Sequence, residues 1–285
     1  MPDSGRGILH DFVDFATVLF YNKSQSIRKG IAVIFKAGSF MDTIKIKKSN
    51  VKFIAHRGLS GIETENSAAA FVAAANRPYY GIETDVHVTA DGKYIIIHDD
   101  NTSRVCGKDI SYTVEQTDFD TLRSLRLIDT SGFCERGDLV LPTPEEYFSI
   151  CKKYGKIAVF ELKNDMAKEH IAALVRLIND INMLENTVFI SFSLQNLISL
   201  RELCENARSQ FLLGDIPPID ELCGILKRYS LSLDAYHGNL TAEIVEAVHG
   251  IGGEVNAWTV NDEDTANRLI DMGVDYITTN ILEGV

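Results

Sequence analysis

The sequence predicts an α/β protein built on a TIM-like (β/α)8 barrel, with a small insertion after the second strand and its hairpin and an extra helical segment at the N-terminus. Two observations support this fold class. From residue 51 onward, short apolar runs alternate with amphipathic stretches, which is the pattern of parallel strands joined by crossover helices. The chain also has 285 residues, a length that is normal for one such barrel.

Strand candidates are short apolar runs that contain many β-branched and aromatic residues. There are nine, at residues 51–55, 81–86, 94–98, 157–163, 188–192, 210–214, 231–236, 255–260 and 274–279. Stretches with helical periodicity lie between most of them, at residues 66–76, 144–154, 166–182, 194–206, 218–228, 241–250 and 262–272. A barrel of eight strands needs one strand fewer, so one of the nine has another place in the fold.

The sequence "TADGK" explains the ninth strand. Asp-Gly favours a tight hairpin turn, so residues 94–98 are predicted to return alongside the second strand as its hairpin partner, with paired residue numbers that sum to roughly 182. This register places His98 across from Glu83 or Asp85. Residues 99–141 fit neither a strand nor a regular helix, and we predict that they form an insertion over the barrel mouth.

An N-terminal extension is predicted for residues 1–50, ahead of a barrel domain at residues 51–285. Its apolar residues recur at helical spacing: Ile8, Phe12, Phe15 and Leu19. Eight Lys or Arg and four Asp give the first 50 residues a charge of +4, within a chain of net charge −12. We favour the alternative in which the expected amphipathic helix packs on the acidic barrel. In a second alternative, residues 8–48 lie on an anionic membrane, and in a third they bind a partner.

Composition and charge exclude several classes of protein. A net charge of −12 argues against nucleic-acid binding, which needs a basic surface. The five cysteines are scattered without a C-x-x-C pair, as expected for reduced thiols in a cytoplasmic protein. The run "GILHDFVDFATVLFY" carries acids inside its apolar stretch, unlike a signal peptide. We therefore expect a cytoplasmic protein, with peripheral membrane contact as the alternative.

Charged and aromatic side chains gather near the carboxyl ends of the predicted strands, where barrel active sites lie. Glu83 and Asp85 share one face of their strand because strand side chains alternate, and Glu161 and Lys163 share a face of another. The complete set of candidates is His56, Arg57, Glu83, Asp85, His98, Glu161, Lys163 and Trp258. Because a closed barrel brings the strand ends together, we expect these residues to form one site.

Three of these candidates, Glu83, Asp85 and Glu161, form an acidic triad that needs a positive charge among them, because carboxylates held close together repel. A divalent ion that prefers oxygen ligands, Mg²⁺ or Ca²⁺, fits this need. The two histidines can serve as base and acid near neutral pH. Arg57 and Lys163 supply charge for an anionic substrate. This inventory favours metal-assisted attack on a phosphate ester.

The chain resembles the glycerophosphodiester phosphodiesterase family over about residues 51 to 280. The resemblance rests on "AHRG" with "ENSAAAF", on "GIETDVHVTADGKYIIIHD", on "FELK", and on "VNAWTVND" with "GVDYITTN", in that order. It implies a TIM-like barrel with a small insertion after the second histidine. It also implies hydrolysis of a small glycerophosphodiester to an alcohol and sn-glycerol 3-phosphate, with one divalent metal ion.

The resemblance further implies a role for each candidate. His56 and His98 would be the acid/base pair, and Arg57 would contact the phosphate. The acidic triad would hold the metal ion. Lys163 would assist at the phosphate, and Trp258 would form a wall of the glycerol or headgroup pocket.

Two departures from the family pattern are visible. Thr64 stands where the family usually has proline, and Thr84 stands where an apolar residue is frequent. Neither change removes a catalytic group.

Other functions stay open at this stage. A phospholipase D-like enzyme that cleaves an intact lipid or a lysophospholipid could use the same site, and the N-terminal amphipathic stretch favours it. A catalytically inactive barrel that only binds phosphodiesters is disfavoured, because both histidines and all three acids are present. The headgroup, the choice of metal, the oligomeric state and the first nucleophile, water or the glycerol 2-hydroxyl, stay open as well.

Overall fold

The computed structural model describes residues 42–47 and 50–285. Its strands are β1 (Ile44–Ile46), β2 (Lys52–Ala55), β3 (Gly81–Val88), β4 (Tyr94–Ile96), β5 (Ile157–Leu162), β6 (Thr187–Ser191), β7 (Arg208–Leu213), β8 (Ser232–Tyr236), β9 (Val255–Trp258), β10 (Tyr276–Thr279) and β11 (Leu282–Gly284). Eight of them pair in parallel in the order β2, β3, β5, β6, β7, β8, β9 and β10, and β10 pairs with β2 to close the ring. The predicted (β/α)8 barrel is confirmed.

The helices within the described residues are α1 (Ala68–Ala75), α2 (Ser103–Cys106), α3 (Phe119–Ser124), α4 (Pro144–Tyr154), α5 (Lys168–Asp180), α6 (Leu194–Leu203), α7 (Ile219–Tyr229), α8 (Ala242–Gly250) and α9 (Glu263–Met272). Helix α4 illustrates how local sequence sets their ends. Thr143 and Glu146 form a reciprocal capping box, Pro144 occupies the first turn, and Gly155 ends the helix in a left-handed conformation. Helix α4 therefore begins and ends at residues that commonly cap helices.

Two apolar layers hold the barrel together. The larger lies between the strands and the outer helices, where Phe160 of β5 packs against Tyr147 and Phe148 of α4. A smaller cluster contains Ile54, Val159, Val188, Ile190, Leu212 and Tyr276. Alternation along β3 puts Ile82 and Val86 into the outer core and leaves Glu83 and Asp85 for the barrel interior.

The hairpin after β3 has the predicted register. Strands β3 and β4 pair antiparallel through Val86 with Ile96, His87 with Ile95, and Val88 with Tyr94, so each pair of numbers sums to 182. The Ile97 N–H then donates to the Asp85 carbonyl (3.2 Å), which carries the pairing up to His98. The ninth strand candidate is thus the return arm of a hairpin and not a barrel strand.

Residues 99–141 are largely irregular, as predicted, but they contain the short helices α2 and α3, which the sequence analysis did not predict. The insertion packs a small apolar cluster of its own against β4: Ile95, Ile97, Val105, Cys106, Val114, Leu122, Leu127, Leu139 and Leu141. His87 Nδ1 lies 3.1 Å from Glu115 Oε1 and ties the insertion to β3. This packing fixes the segment that carries α2 beside the end of the hairpin.

The two ends of the described chain meet. Strand β1 pairs in parallel with β11, from Ile44 with Leu282 to Ile46 with Gly284. The predicted helix around residues 8–19 lies outside the described residues, as does most of the basic stretch that follows it. No helix within the described ranges is both long and apolar enough to cross a membrane.

Candidate active site

The turn that follows β2 brings a backbone donor into the site. Arg57 has a φ of 54°, a left-handed conformation that costs a non-glycine residue about 1–2 kcal/mol. In this conformation its N–H donates to Glu83 Oε2 at 2.7 Å. Gly58 follows with a φ of 76°, and a Cβ at this position would lie 2.6 Å from the carbonyl carbon of Ala70. The His-Arg-Gly sequence therefore suits a sharp turn packed against α1.

The acidic triad is brought together by strand register. Glu83 and Asp85 are two residues apart on β3, and Asp85 pairs with Glu161 of β5. One carboxylate oxygen from each of the three lies within 4.8 Å of the others, so the triad could hold a metal ion. The side chains are buried, with exposed fractions of 2%, 1% and 6% for Glu83, Asp85 and Glu161.

The electrostatics of the triad are uneven. Burial, followed by the charges of Asp85 and Glu161, raises the pKa of Glu83 well above its usual range. Burial and the charge of Asp85 likewise raise the pKa of Glu161 to about 8. Burial would also raise the pKa of Asp85, but Arg57 and Lys163 outweigh it and the pKa lies below its usual range. Without a further cation, the three carboxyl groups are not all ionised near neutral pH.

Two basic side chains flank the triad. Arg57 Nε lies 3.7 Å from Asp85 Oδ2, while its Nη1 donates to Glu65 Oε1 at 2.9 Å. Lys163 Nζ lies 2.9 Å from Glu161 Oε1 and 3.6 Å from Asp85 Oδ1. The three carboxyl groups of the triad therefore outnumber the two basic side chains that contact them.

The two histidines have different hydrogen-bond partners. His56 Nδ1 lies 2.7 Å from the amide oxygen of Asn280, and its Nε2 lies 4.0 Å from Glu83 Oε2. His98 Nδ1 lies 2.7 Å from the carboxylate of Asp99. Burial, then Arg57, lowers the pKa of His56 to about 4, and burial also lowers the pKa of His98. His56 is therefore neutral near pH 7, and each of the two rings has one nitrogen held by its partner.

A second contact orients Asp85. The Asn66 amide donates to Asp85 Oδ2 at 2.8 Å, and the Thr84 hydroxyl donates to the Asn66 amide oxygen at 2.7 Å. All three side chains are buried. Thr84, the departure from the family pattern noted above, thus fixes which end of the Asn66 amide faces Asp85.

Arg104, in the insertion, holds the acidic partners of both Arg57 and His98. From α2 it donates to both Glu65 oxygens (2.7 and 2.8 Å) and to both Asp99 oxygens (2.6 and 3.0 Å). Glu65 holds Arg57, and Asp99 holds His98. A single guanidinium therefore positions the acidic partners of two site residues.

A cavity of about 80 Å³ opens above the triad. It is lined by His56, Arg57, Glu83, His98, Glu161, Ile190, Phe192, Leu212, Asp234, Trp258, Thr259 and Thr278. Trp258 packs edge-on against Phe192 and lies close to Tyr236, with ring centroids 5.7 and 5.9 Å apart. Phe192 and Trp258 line the cavity as an aromatic rim, and Phe192 and Tyr236, which packs beside Trp258, are half-exposed.

All eight candidates lie at this end of the barrel, but not all face the cavity. His56, Arg57, Glu83, His98, Glu161 and Trp258 line it. Asp85 does not line it but lies 3.7 Å from Arg57 and 3.6 Å from Lys163, and Lys163 lines an adjoining surface groove with Asn164 and Phe192.

Several residues that complete the site were missed by the sequence analysis: Glu65, Asn66, Asp99, Arg104, Asp234 and Asn280. Two signals were available for some of them. Glu65 and Asn66 lie inside the quoted "ENS" motif, and Asn280 ends "GVDYITTN".

Fold and site together define a class of protein. A closed barrel whose strand ends carry a buried carboxylate cluster, two histidines and two basic side chains is typical of an enzyme that acts on an anionic ester.

Comparison with known proteins places the chain more closely. The sequence profile of the glycerophosphoryl diester phosphodiesterase family matches residues 56–283, and the chain therefore belongs to that family of phosphoric diester hydrolases. A glycerophosphodiester phosphodiesterase from Caldanaerobacter subterraneus subsp. tengcongensis is 28% identical over 232 residues, which cover 80% of this chain and 93% of that protein.

Solved structures agree with this placement. A glycerophosphodiester phosphodiesterase from Parabacteroides distasonis is 30% identical, with a TM-score of 0.67 over 82% of this chain and 94% of that one. A phosphodiesterase from Oleispira antarctica, solved with the product sn-glycerol-3-phosphate, is 26% identical, with a TM-score of 0.73 over 80% of this chain and 92% of that one.

Proposed function

We propose that this enzyme hydrolyses glycerophosphodiesters to an alcohol and sn-glycerol 3-phosphate with one divalent metal ion, Mg²⁺ or Ca²⁺. The observation that carries the proposal is the acidic triad, buried and closely spaced, beside a cavity that two histidines also line. Family membership supports the reaction, and the triad supports the cofactor.

The triad residues Glu83, Asp85 and Glu161 fit a hard divalent cation. They offer only carboxylate oxygens, the ligands that Mg²⁺ and Ca²⁺ prefer. Burial and the neighbouring carboxylates raise the pKa values of Glu83 and Glu161, and an added positive charge would offset both effects. When bound, the ion would neutralise the triad and polarise the phosphate oxygens.

The histidine partners suggest how the proton transfers are divided. His56 is bonded to the neutral Asn280 amide, so with Nδ1–H donating, its Nε2 is a free acceptor suited to take a proton from the nucleophile. His98 is bonded to the Asp99 carboxylate, which stabilises the protonated ring. We therefore assign His56 as the base and His98 as the acid that protonates the leaving alkoxide.

The remaining candidates bind the substrate. Arg57 lines the cavity beside the triad and is proposed to contact the phosphate. Lys163 bonds Glu161 and approaches Asp85, so it assists mainly by orienting those carboxylates and by adding positive charge. Trp258 is proposed to wall the glycerol or headgroup pocket.

A substrate panel tests this function. Purified protein, dialysed against EDTA and reloaded with Mg²⁺ or Ca²⁺, is assayed on glycerophosphocholine, glycerophosphoethanolamine, glycerophosphoinositol and lysophosphatidylcholine. The proposal predicts release of sn-glycerol 3-phosphate from at least one glycerophosphodiester. The Glu161→Gln variant serves as the matched control and should be inactive. Turnover of the lysophospholipid alone would favour the phospholipase alternative, and turnover of none would refute the proposal.

A further inference from the structure

Asp234 is a buried carboxyl group in the wall of the site cavity. It lies on β8, and only 2% of the residue is exposed. Around the closed barrel, β8 is four strands from β3 in either direction, so Asp234 stands opposite Glu83. Both residues line the same cavity. A substrate held at the triad and extending across the cavity therefore reaches Asp234.

The Asp234 carboxyl is short of partners. Its Oδ1 has no hydrogen-bond partner among the residues that the structure describes. The neighbouring Asn256, its register partner on β9, exchanges hydrogen bonds with Thr278 (3.0 and 3.1 Å). The nearest cavity wall on the other side, Leu212, is apolar. A buried polar atom without a partner destabilises a fold, so its position in a cavity wall indicates a ligand group that completes it.

The protonation of Asp234 suits a hydroxyl ligand. Burial raises the pKa of Asp234 to about 8, with a smaller opposing effect from Asn256. Near neutral pH the carboxyl group therefore keeps its proton, and it can both donate and accept a hydrogen bond. A hydroxyl group matches that pair of roles. An anionic group, such as a second phosphate, would instead place negative charge across the cavity from the acidic triad.

The shape of the cavity decides which part of the substrate reaches Asp234. The side of the cavity that Asp234 lines is buried within the barrel, while the rim carries the half-exposed ring of Phe192. The cavity volume of about 80 Å³ can hold several water molecules. A small polyol fits the enclosed side, and an alcohol group of variable size fits the open rim.

We propose that Asp234 binds the terminal hydroxyl of the glycerol moiety, the sn-1 hydroxyl, and thereby selects deacylated glycerophosphodiesters over lipids acylated at that position. The proposal rests on the proposed function and deepens it. An acyl ester at this oxygen has no O–H to donate, and its chain has no room in the enclosed side of the cavity. Binding of such a substrate would leave the Asp234 carboxyl without a partner, and this penalty is a strong basis for selectivity.

The test compares two substrates of equal charge. One is sn-glycero-3-phosphocholine, and the other is the analogue that keeps the 2-hydroxyl but lacks the terminal hydroxyl. The wild-type protein is expected to prefer the first by about 10²-fold in kcat/KM, the scale for a site built around a substrate hydroxyl. Asp234→Ala should reduce this preference to about 3-fold or less, through loss on the first substrate only. Asp234→Asn should restore part of it, because a carboxamide also donates and accepts.

Gln210→Leu is the matched control. Gln210 is also buried, has an unpartnered Oε1 among the described residues, and lies two residues before Leu212 on β7, but it does not line the site cavity. The control should keep the wild-type preference. If Asp234→Ala does not fold, Asp234→Leu replaces it with a side chain that fills the space, and the same loss of preference is expected.

The outcomes separate this inference from the proposed function. A wild-type protein that cleaves both substrates equally well overturns the role of Asp234 and leaves the function standing. A wild-type protein that cleaves no glycerophosphodiester overturns the function itself. An Asp234→Ala protein that keeps the preference, or that loses activity equally on both substrates, also overturns the role of Asp234.

Discussion

Replacing Glu161 with glutamine removes one carboxylate from the triad and changes stability in a way that depends on pH. In the metal-free protein the pKa of Glu161 is about 8, because of burial and the neighbouring Asp85. The unfolded chain releases this proton at about pH 4.5, the usual range for glutamate, so the folded state binds more protons between these values. Stability of the metal-free wild type therefore falls as pH rises through this window, by ~1.4 kcal/mol for each pKa unit. Glu161→Gln lacks this contribution and becomes progressively more stable than the wild type.

Metal acts in the opposite direction and stabilises the wild type more than the variant. At 100 times its Kd, a metal ion that binds only the folded state stabilises it by ~2.7 kcal/mol. For a barrel of this size that raises the Tm by about 5 to 10 °C. If loss of one ligand weakens binding about 100-fold, the same concentration stabilises Glu161→Gln by only ~0.4 kcal/mol, or about 1 to 2 °C.

Thermal melts by circular dichroism, with EDTA and with Mg²⁺ or Ca²⁺ at several pH values, measure both effects. Glu283→Gln is the control, because Glu283 is also a buried carboxylate but pairs with Lys45 far along the chain from the triad. It should melt earlier and keep the full metal response. A Glu161→Gln protein that keeps the metal response, or that melts like the metal-free wild type from about pH 5 to pH 8, would refute the reasoning.

Three further predictions concern other parts of the chain. His56→Ala and His98→Ala should each slow hydrolysis about 10² to 10⁴-fold. A nitrophenyl diester, whose leaving group needs no acid, should rescue only His98→Ala in a steady-state assay. Rescue of His56→Ala instead would reverse the two roles. Arg104→Met should lower kcat about 10-fold and move the alkaline limb of its pH profile upward, because a positive charge near the acid is lost, whereas Arg136→Met, at another ion pair of the insertion, should do neither. Deleting residues 1–40, which spares β1, should lower the Tm by several degrees if the predicted helix packs on the barrel. An unchanged Tm with loss of binding to anionic vesicles would favour the membrane alternative, and no change in either would leave a partner-binding arm.

Much of the barrel could be predicted because local pattern decided it. Strand alternation placed Glu83 and Asp85 on one face, and the Asp91-Gly92 turn set the hairpin register. Several apolar runs are bounded by a helix with its own cap, as at Ser193 between β6 and α6. These features depend on residues a few positions apart.

The missed features depend on contacts between distant residues. Strands β1 and β11 have three residues each and pair only because the barrel brings the chain ends together. Arg104 lies in a four-residue helix whose place is set by packing of the insertion. Asp234 is one charged residue in an apolar strand, and its cavity exists only after the barrel closes.

The most direct test of the central claim is ³¹P NMR of sn-glycero-3-phosphocholine hydrolysis by the same protein before and after metal is restored. The metal-free enzyme should leave the substrate intact. Addition of Mg²⁺ or Ca²⁺ should convert the substrate resonance to that of sn-glycerol 3-phosphate, with choline released. Full turnover in rigorously metal-free protein, or a product resonance of phosphocholine in place of glycerol 3-phosphate, would contradict the account.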